Sequence, residues 1–97
     1  MIFEILKNPG LAKMVGETIH ISWKAPSGQF QGSTGTLVEL GEVGVTIRVE
    51  RDLDQHTNGL RNGRFLGIAW EEIYKIRPAL HYTMTITIND YGNDSED

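Results

Sequence analysis

The chain contains no cysteine, which excludes disulfide bonds, thiolate zinc sites and a cysteine nucleophile. That absence fits a reducing compartment, and a cytoplasmic location is expected. Nor does any apolar run approach the roughly 18 residues that a membrane helix needs. The opening "MIFEILKNPG" has an early glutamate and no basic stretch, so no export signal is expected. Excess positive charge is missing as well, the formal charge being -4 and the pI about 5.3. A chain this acidic is not expected to hold long duplex DNA by neutralising its phosphates.

The negative charge is concentrated at one end. Asp90, Asp94, Glu96 and Asp97 crowd the final stretch, and removing those four from thirteen acids leaves nine, against nine bases, in residues 1–89. The body is therefore neutral. The expected organisation is a single domain over 1–89 and an acidic, disordered tail over 90–97. A chain of 97 residues builds one core, and association with further copies would add to its stability.

What is present reads as β structure. Residues 2–16 place Ile2, Phe3, Ile5 and Leu6 near helical spacing, and Pro9 suits the first turn of a short helix that Gly16 ends. "ETIHISWK" then alternates, with Ile19, Ile21 and Trp23 on one face and Thr18, His20 and Ser22 on the other, as a half-buried strand does. After the turn "APSG", "QFQGSTGTLVEL" forms a second strand whose Gly32 and Gly35 permit a strong bend or bulge. "VTIRVE" alternates again with Val45, Ile47 and Val49 inward. A loop from Arg51 to Arg64 follows, with turn candidates at Asn58-Gly59 and Asn62-Gly63. "RFLGIAW" and "EEIYKIRP" read as short strands. "LHYTMTITIND" reads as the cleanest strand of all, with Tyr82, Met84, Ile86 and Ile88 on one face; it would extend the sheet or pair with a second subunit.

The fold expected is mostly β, a small barrel of five or six strands with a short amino-terminal helix and an added carboxy-terminal strand. This order of elements resembles the Sm-like family within the SH3-like small barrels. The likeness covers residues 2 to 77: the helix "ILKNPGLAKMVG", the strand "ETIHISW", the bent Gly-x-Leu strand "GTLVEL", a third strand ending in Glu50, a variable loop, and "FLGIAWEEIYKI". The family's base-contacting aspartate and asparagine and its Arg-Gly step are not retained, since the corresponding stretches read "LGEVGV" and "GIAW". The resemblance thus implies the barrel and self-assembly, without the family's nucleotide contacts.

Constellations for catalysis or metal binding are absent from the pattern. His20, His56 and His81 share no metal-ligand spacing. "DLDQHTNG" resembles the start of a calcium loop, yet its glycine falls late and Gly63 stands where the bidentate glutamate is required. Glu71 and Glu72 are adjacent and face differently, while Trp23 and Trp70 continue apolar strand faces and belong to the core. No cofactor is expected, and the chain reads as a non-enzyme. The 51–64 loop differs in kind: Arg51, His56, Asn58, Arg61, Asn62 and Arg64 stand against Asp52 and Asp54, giving it a formal charge of +1. Guanidinium forks grip phosphate or carboxylate oxygens, and asparagine offers a donor and an acceptor to a base edge.

These six residues form the expected ligand site. The leading expectation is a homo-oligomeric binding module that takes a small anionic or nucleotide-like ligand, or a short single-stranded RNA, through this loop. The alternative is a compact inhibitor or adaptor of the kind phages and mobile elements carry, meeting a protein partner through its edge strand or acidic tail. A structural subunit of a larger assembly is the third reading.

Overall fold

A computed structural model of the chain describes residues 9–52, 60–80 and 84–91. The period-two alternation of the first strand is realised in β1 (Thr18–Lys24), whose Ile19, Ile21 and Trp23 point into the core. The same rule shapes β3 (Gly44–Asp52), which buries Val45, Ile47 and Val49 and runs two residues further than its alternation alone suggests. Between them lies the eleven-residue β2 (Phe30–Leu40), and after them β4 (Phe65–Ala69), β5 (Ile73–Pro78) and a two-residue β6 (Ile86–Thr87). The six form one antiparallel sheet in the order β4-β3-β2-β1-β5-β6. The fold is mostly β, as expected. Among the described residues the ladder is open, with β4 and β6 at its two ends.

The long β2 bends at two breaks in its register with β3, between Thr34 and Gly35 and between Leu37 and Glu39. Gly35 is required at the first, because a Cβ there would collide with the backbone carbonyl of Arg48. The bends carry the sheet around Leu37, Ile47, Ile68, Ile73 and Ile76, all at most 3% exposed. Burying a side chain of this size contributes about 1.5–3 kcal/mol.

The open mouth of the core is covered by α1 (Pro9–Met14) through Leu11 and Met14. Six residues cannot hold a helix by backbone bonds alone, so its end is docked on β2. The Gly16 N–H donates to the Leu37 carbonyl at 2.7 Å, and the Leu37 N–H donates to the Glu17 carbonyl at 3.0 Å. Trp70, buried in the turn between β4 and β5, donates its indole N–H to the Gly41 carbonyl at 2.7 Å. Both tryptophans belong to the core, as expected.

The segment with the cleanest alternation departs from expectation. Among the described residues of this segment only Ile86 and Thr87 ladder, opposite Ile76 and Lys75 of β5, so this strand extends the sheet within the chain. Met84 is 48% exposed rather than inward, whereas Ile86 and Ile88 pack against the core. Two features shorten the strand. Pro78 ends β5 and has no N–H to offer a longer ladder. At the other end the Asn89 side-chain amide donates to the carbonyls of Trp70 and Ile73 at 2.6 and 2.8 Å, turning the chain away. Within the stretch expected as a tail, Tyr91 folds back and its hydroxyl donates to the Glu71 carbonyl. Tyr82 and His81 lie outside the described residues.

Candidate functional site

Arg61, the centre of the arginine-rich loop, is turned inward on the loop's own base. Its Nε and one terminal nitrogen donate to the two oxygens of Asp52 at 2.7 and 2.6 Å, and its other terminal nitrogen donates to the Gln31 side-chain oxygen at 2.8 Å. The guanidinium sits 5.1 Å from the centre of the Trp23 ring, a cation–π arrangement. The Asp52 carboxylate is fully buried and also accepts from the Ser33 hydroxyl at 3.4 Å. Asn62 belongs to the same clasp, since its side-chain oxygen accepts from the Asp52 N–H at 2.8 Å.

The expected turn at Asn62-Gly63 is formed, closed by the Arg64 N–H donating to the Arg61 carbonyl at 3.1 Å. Gly63 has φ +78 there, a backbone conformation that favours glycine. The Arg64 side chain is exposed beyond the turn, and Arg51 is exposed on β3. His56, Asn58 and the Asn58-Gly59 turn lie outside the described residues. The six residues of the loop are therefore divided: Arg61 and Asn62 build the base of the loop, while Arg51 faces the outer surface of the sheet.

Strand register gathers a second set of polar groups around Arg51. In an antiparallel sheet, residues opposite one another share a face. Arg51 lies opposite Thr34, Thr34 opposite His20, and His20 opposite Arg77, so one row crosses β3, β2, β1 and β5. One step along the strands, Ser22 lies opposite both Gly32 and Lys75. A groove of about 330 Å³ opens at the β1–β5 end of this row, lined by His20, Ser22, Gly32, Lys75, Arg77 and, from the approach to β6, Thr85. Among the described residues that line it there is no carboxylate. Gly32 contributes no side chain, which keeps the floor low between Ser22 and the neighbouring strand.

The electrostatics follow from this row. Partial burial, then the charges of Arg77 and Arg51, hold the His20 imidazole below its ordinary pKa of 6.5. Its Nδ1 is hydrogen-bonded to the Thr34 hydroxyl. With that hydroxyl donating, a neutral His20 carries its proton on Nε2 and is itself a donor. The face thus combines two guanidinium groups, an ammonium, an imidazole N–H and hydroxyls. Such a set suits an anion with several oxygens.

Two other concavities differ in character. A cleft of about 460 Å³ near the β2–β3 turn is lined by Glu39, Glu42 and Glu72 with Val43 and Ile68. A polar hollow beside Thr18, Thr36 and Arg48 is occupied by Glu50, whose carboxylate accepts from the Thr36 hydroxyl at 2.9 Å and the Thr18 hydroxyl at 3.4 Å. Among the described residues, no three His, Asp or Glu side chains converge as metal ligands. Comparison with protein-family models, with curated proteins and with solved structures finds no match to this chain.

His20, Ser22, Lys75 and Arg77 carry no motif in the sequence. Their only signal is outward alternation on two strands. The neighbourhood exists because β5 returns to pair with β1 rather than with β4, which it follows in the chain.

Proposed function

We propose that this chain is a non-catalytic binding module that receives an anionic group, phosphate or carboxylate, on the outer face of its sheet. The observation that carries this reading is the registered row Arg51, Thr34, His20 and Arg77, with Lys75 beside it and no acid among the described residues that line the groove. Arginine supplies a planar fork that matches two anion oxygens, and Lys75 beside it adds a second cation to the same groove. Of the loop residues, Arg51 stands at the β3 end of the row, and its charge acts on His20. Arg61 supports the face from behind by fixing β3 against Gln31 of β2.

The fold itself we read as a small barrel of the SH3-like or Sm-like kind. What supports this is the opening helix, the twice-bent β2 and the short connection between β4 and β5. Calorimetric titration with inorganic pyrophosphate tests the anion site. The double variant Lys75→Ala/Arg77→Ala should weaken binding by about tenfold or more, the scale of losing charge-assisted hydrogen bonds. Unchanged binding in that variant would remove the site from this face.

A second reading has an observation of its own. Among the described residues β4 is an outermost strand, and Phe65 on it is 68% exposed. An open edge with an apolar side chain favours pairing with another chain, and a second copy of this protein is the occupant we propose for it.

A further inference from the structure

The cationic groove continues into an aromatic step at the end of the same face. Phe30 and Tyr74 meet there with ring centres 5.7 Å apart and planes tilted by 58°. Phe30 begins β2 opposite Lys24, and Tyr74 occupies the bulge where β5 shifts its register against β1. Tyr74 is half-buried, and Phe30 is 45% exposed although it is among the larger apolar side chains of the chain. Cations stand on both sides of the ring pair, one beside Phe30 and one beside Tyr74. The Lys24 ammonium lies 5.8 Å from the Phe30 ring centre and 5.2 Å from that of Tyr91. The Lys75 ammonium lies 4.6 Å from the Tyr74 ring centre.

Lys75 is the link between the two features. Its side chain lines the anion groove and its ammonium rests on the aromatic step, so the two subsites are separated by less than one lysine side chain. A bare phosphate or small carboxylate would use the groove and leave the rings exposed. A ligand that uses both carries an anionic group and a flat, stackable ring a few bonds apart. That is the chemistry of a nucleotide: the phosphate meets Arg77, His20 and Lys75, and the base covers Phe30. The groove, about 330 Å³, is within the range of small-molecule sites. Every base presents a π-face, so stacking here adds affinity without demanding one particular base.

We infer that the outer sheet face binds a nucleotide unit, its phosphate in the His20–Lys75–Arg77 groove and its base on the Phe30–Tyr74 step. This rests on the anion site proposed above and names its ligand class. The unit could be presented by a free nucleotide or by a short single strand. A single strand would place its neighbouring phosphate near Lys24 or Arg51.

The test is titration of the intact chain with inorganic phosphate, with adenosine and uridine monophosphates, and with short labelled adenine and uracil single strands. Each probe is run against the parent protein, Phe30→Ala, Phe30→Tyr and Lys75→Ala/Arg77→Ala. Phe30→Ala should weaken nucleotide binding about five- to hundredfold, the range base–aromatic stacking supplies, and leave inorganic phosphate unchanged. Phe30→Tyr should restore it. Ring-current shifts of the bound base protons, lost in Phe30→Ala, report stacking independently of affinity. Nucleotide affinity within twofold of the parent in Phe30→Ala, with Lys75→Ala/Arg77→Ala still defective, overturns the aromatic subsite and leaves the anion site standing. Failure of phosphate and nucleotide alike to bind the parent overturns both. Tighter binding of single strands than of monophosphates identifies a nucleic-acid strand as the source, and equal binding identifies the free nucleotide. Because Phe30 is 45% exposed and stands outside the buried core, circular dichroism should show an unchanged fold in both Phe30 variants.

Discussion

Arg61 and Asp52 are joined by two parallel hydrogen bonds, Nε to Oδ2 at 2.7 Å and a terminal nitrogen to Oδ1 at 2.6 Å, and together they clasp the base of the loop between β3 and β4. The carboxylate has no exposed surface and the guanidinium side chain retains 19%. Removing one partner of such a pair leaves the other buried without its counter-charge, at a cost of about 3–5 kcal/mol. Arg61→Ala should therefore lower the urea midpoint markedly. Because Arg61 supports the ligand face only from behind, Arg61→Lys should recover part of the stability and retain pyrophosphate binding at temperatures where the variant is folded. A variant that lost pyrophosphate binding while keeping the parent midpoint would show Arg61 acting on the ligand, and this assignment would be wrong.

That pair shows where sequence reasoning stops. The loop's arginines stand out in the sequence as ligands for oxygen, and Arg61 does bind carboxylate oxygens, but those of Asp52 nine positions earlier. Composition identifies the chemistry of a guanidinium without saying whether its partner is internal. By contrast, the core faces of β1 and β3 were legible residue by residue, because alternation follows from the backbone repeat and needs no tertiary information. The row of Arg51, Thr34, His20 and Arg77 was not, since it depends on the register of four strands separated by turns of different length. For the last strand, alternation was genuine, yet Pro78 and Asn89 limited how much of it could pair.

His20 gives the face a pH dependence with a definite sign. The groups around it are Arg51 and Thr34 on the β3–β2 side and Arg77 and Lys75 on β5. Its folded pKa lies below 6.5, so the unfolded chain binds a proton more readily between that lowered value and 6.5. Its contribution to stability is full above 6.5 and declines as pH falls through the window. Urea midpoints measured across that range should fall with acid, and His20→Gln should flatten the local slope.

Anion binding runs in the opposite direction. A bound phosphate offsets Arg77 and Arg51 and favours the imidazolium, so the dissociation constant should decrease as pH falls toward the free-state pKa of His20. Titration of the His20 ring protons by NMR, with and without pyrophosphate, should show the ligand raising the pKa. An unmoved titration curve would place the anion away from His20.

Asn89 holds the chain end against the β4–β5 turn by donating to two carbonyls at once, those of Trp70 and Ile73. Asn89→Ala leaves both without that partner, and an unsatisfied buried polar group costs about 1–3 kcal/mol. The loss should be local first. Hydrogen exchange should accelerate at Ile88, whose N–H donates to the Tyr74 carbonyl at 2.8 Å, before the β1–β2 amides respond. Uniform acceleration across the sheet would instead mean that β6 and the core open as one unit.

The edge strand β4 sets the last expectation. β3 takes the hydrogen-bonding groups on one side of β4 from Phe65 to Ala69, and among the described residues the other side is the end of the sheet. Phe65 is 68% exposed, with Val43 at 79% in the β2–β3 turn. If copies of this chain pair through that edge, light scattering should give a mass above 10.9 kDa that grows with concentration. Phe65→Lys places charge on the edge, a substitution that natural sheets use against pairing, and should return the protein to the monomer without loss of the urea midpoint. The aromatic step at Phe30 lies on the sheet's outer face near its β5 side, so this monomer should still bind nucleotide. Simultaneous loss of self-association and nucleotide binding would mean that the ligand site is completed by a second copy.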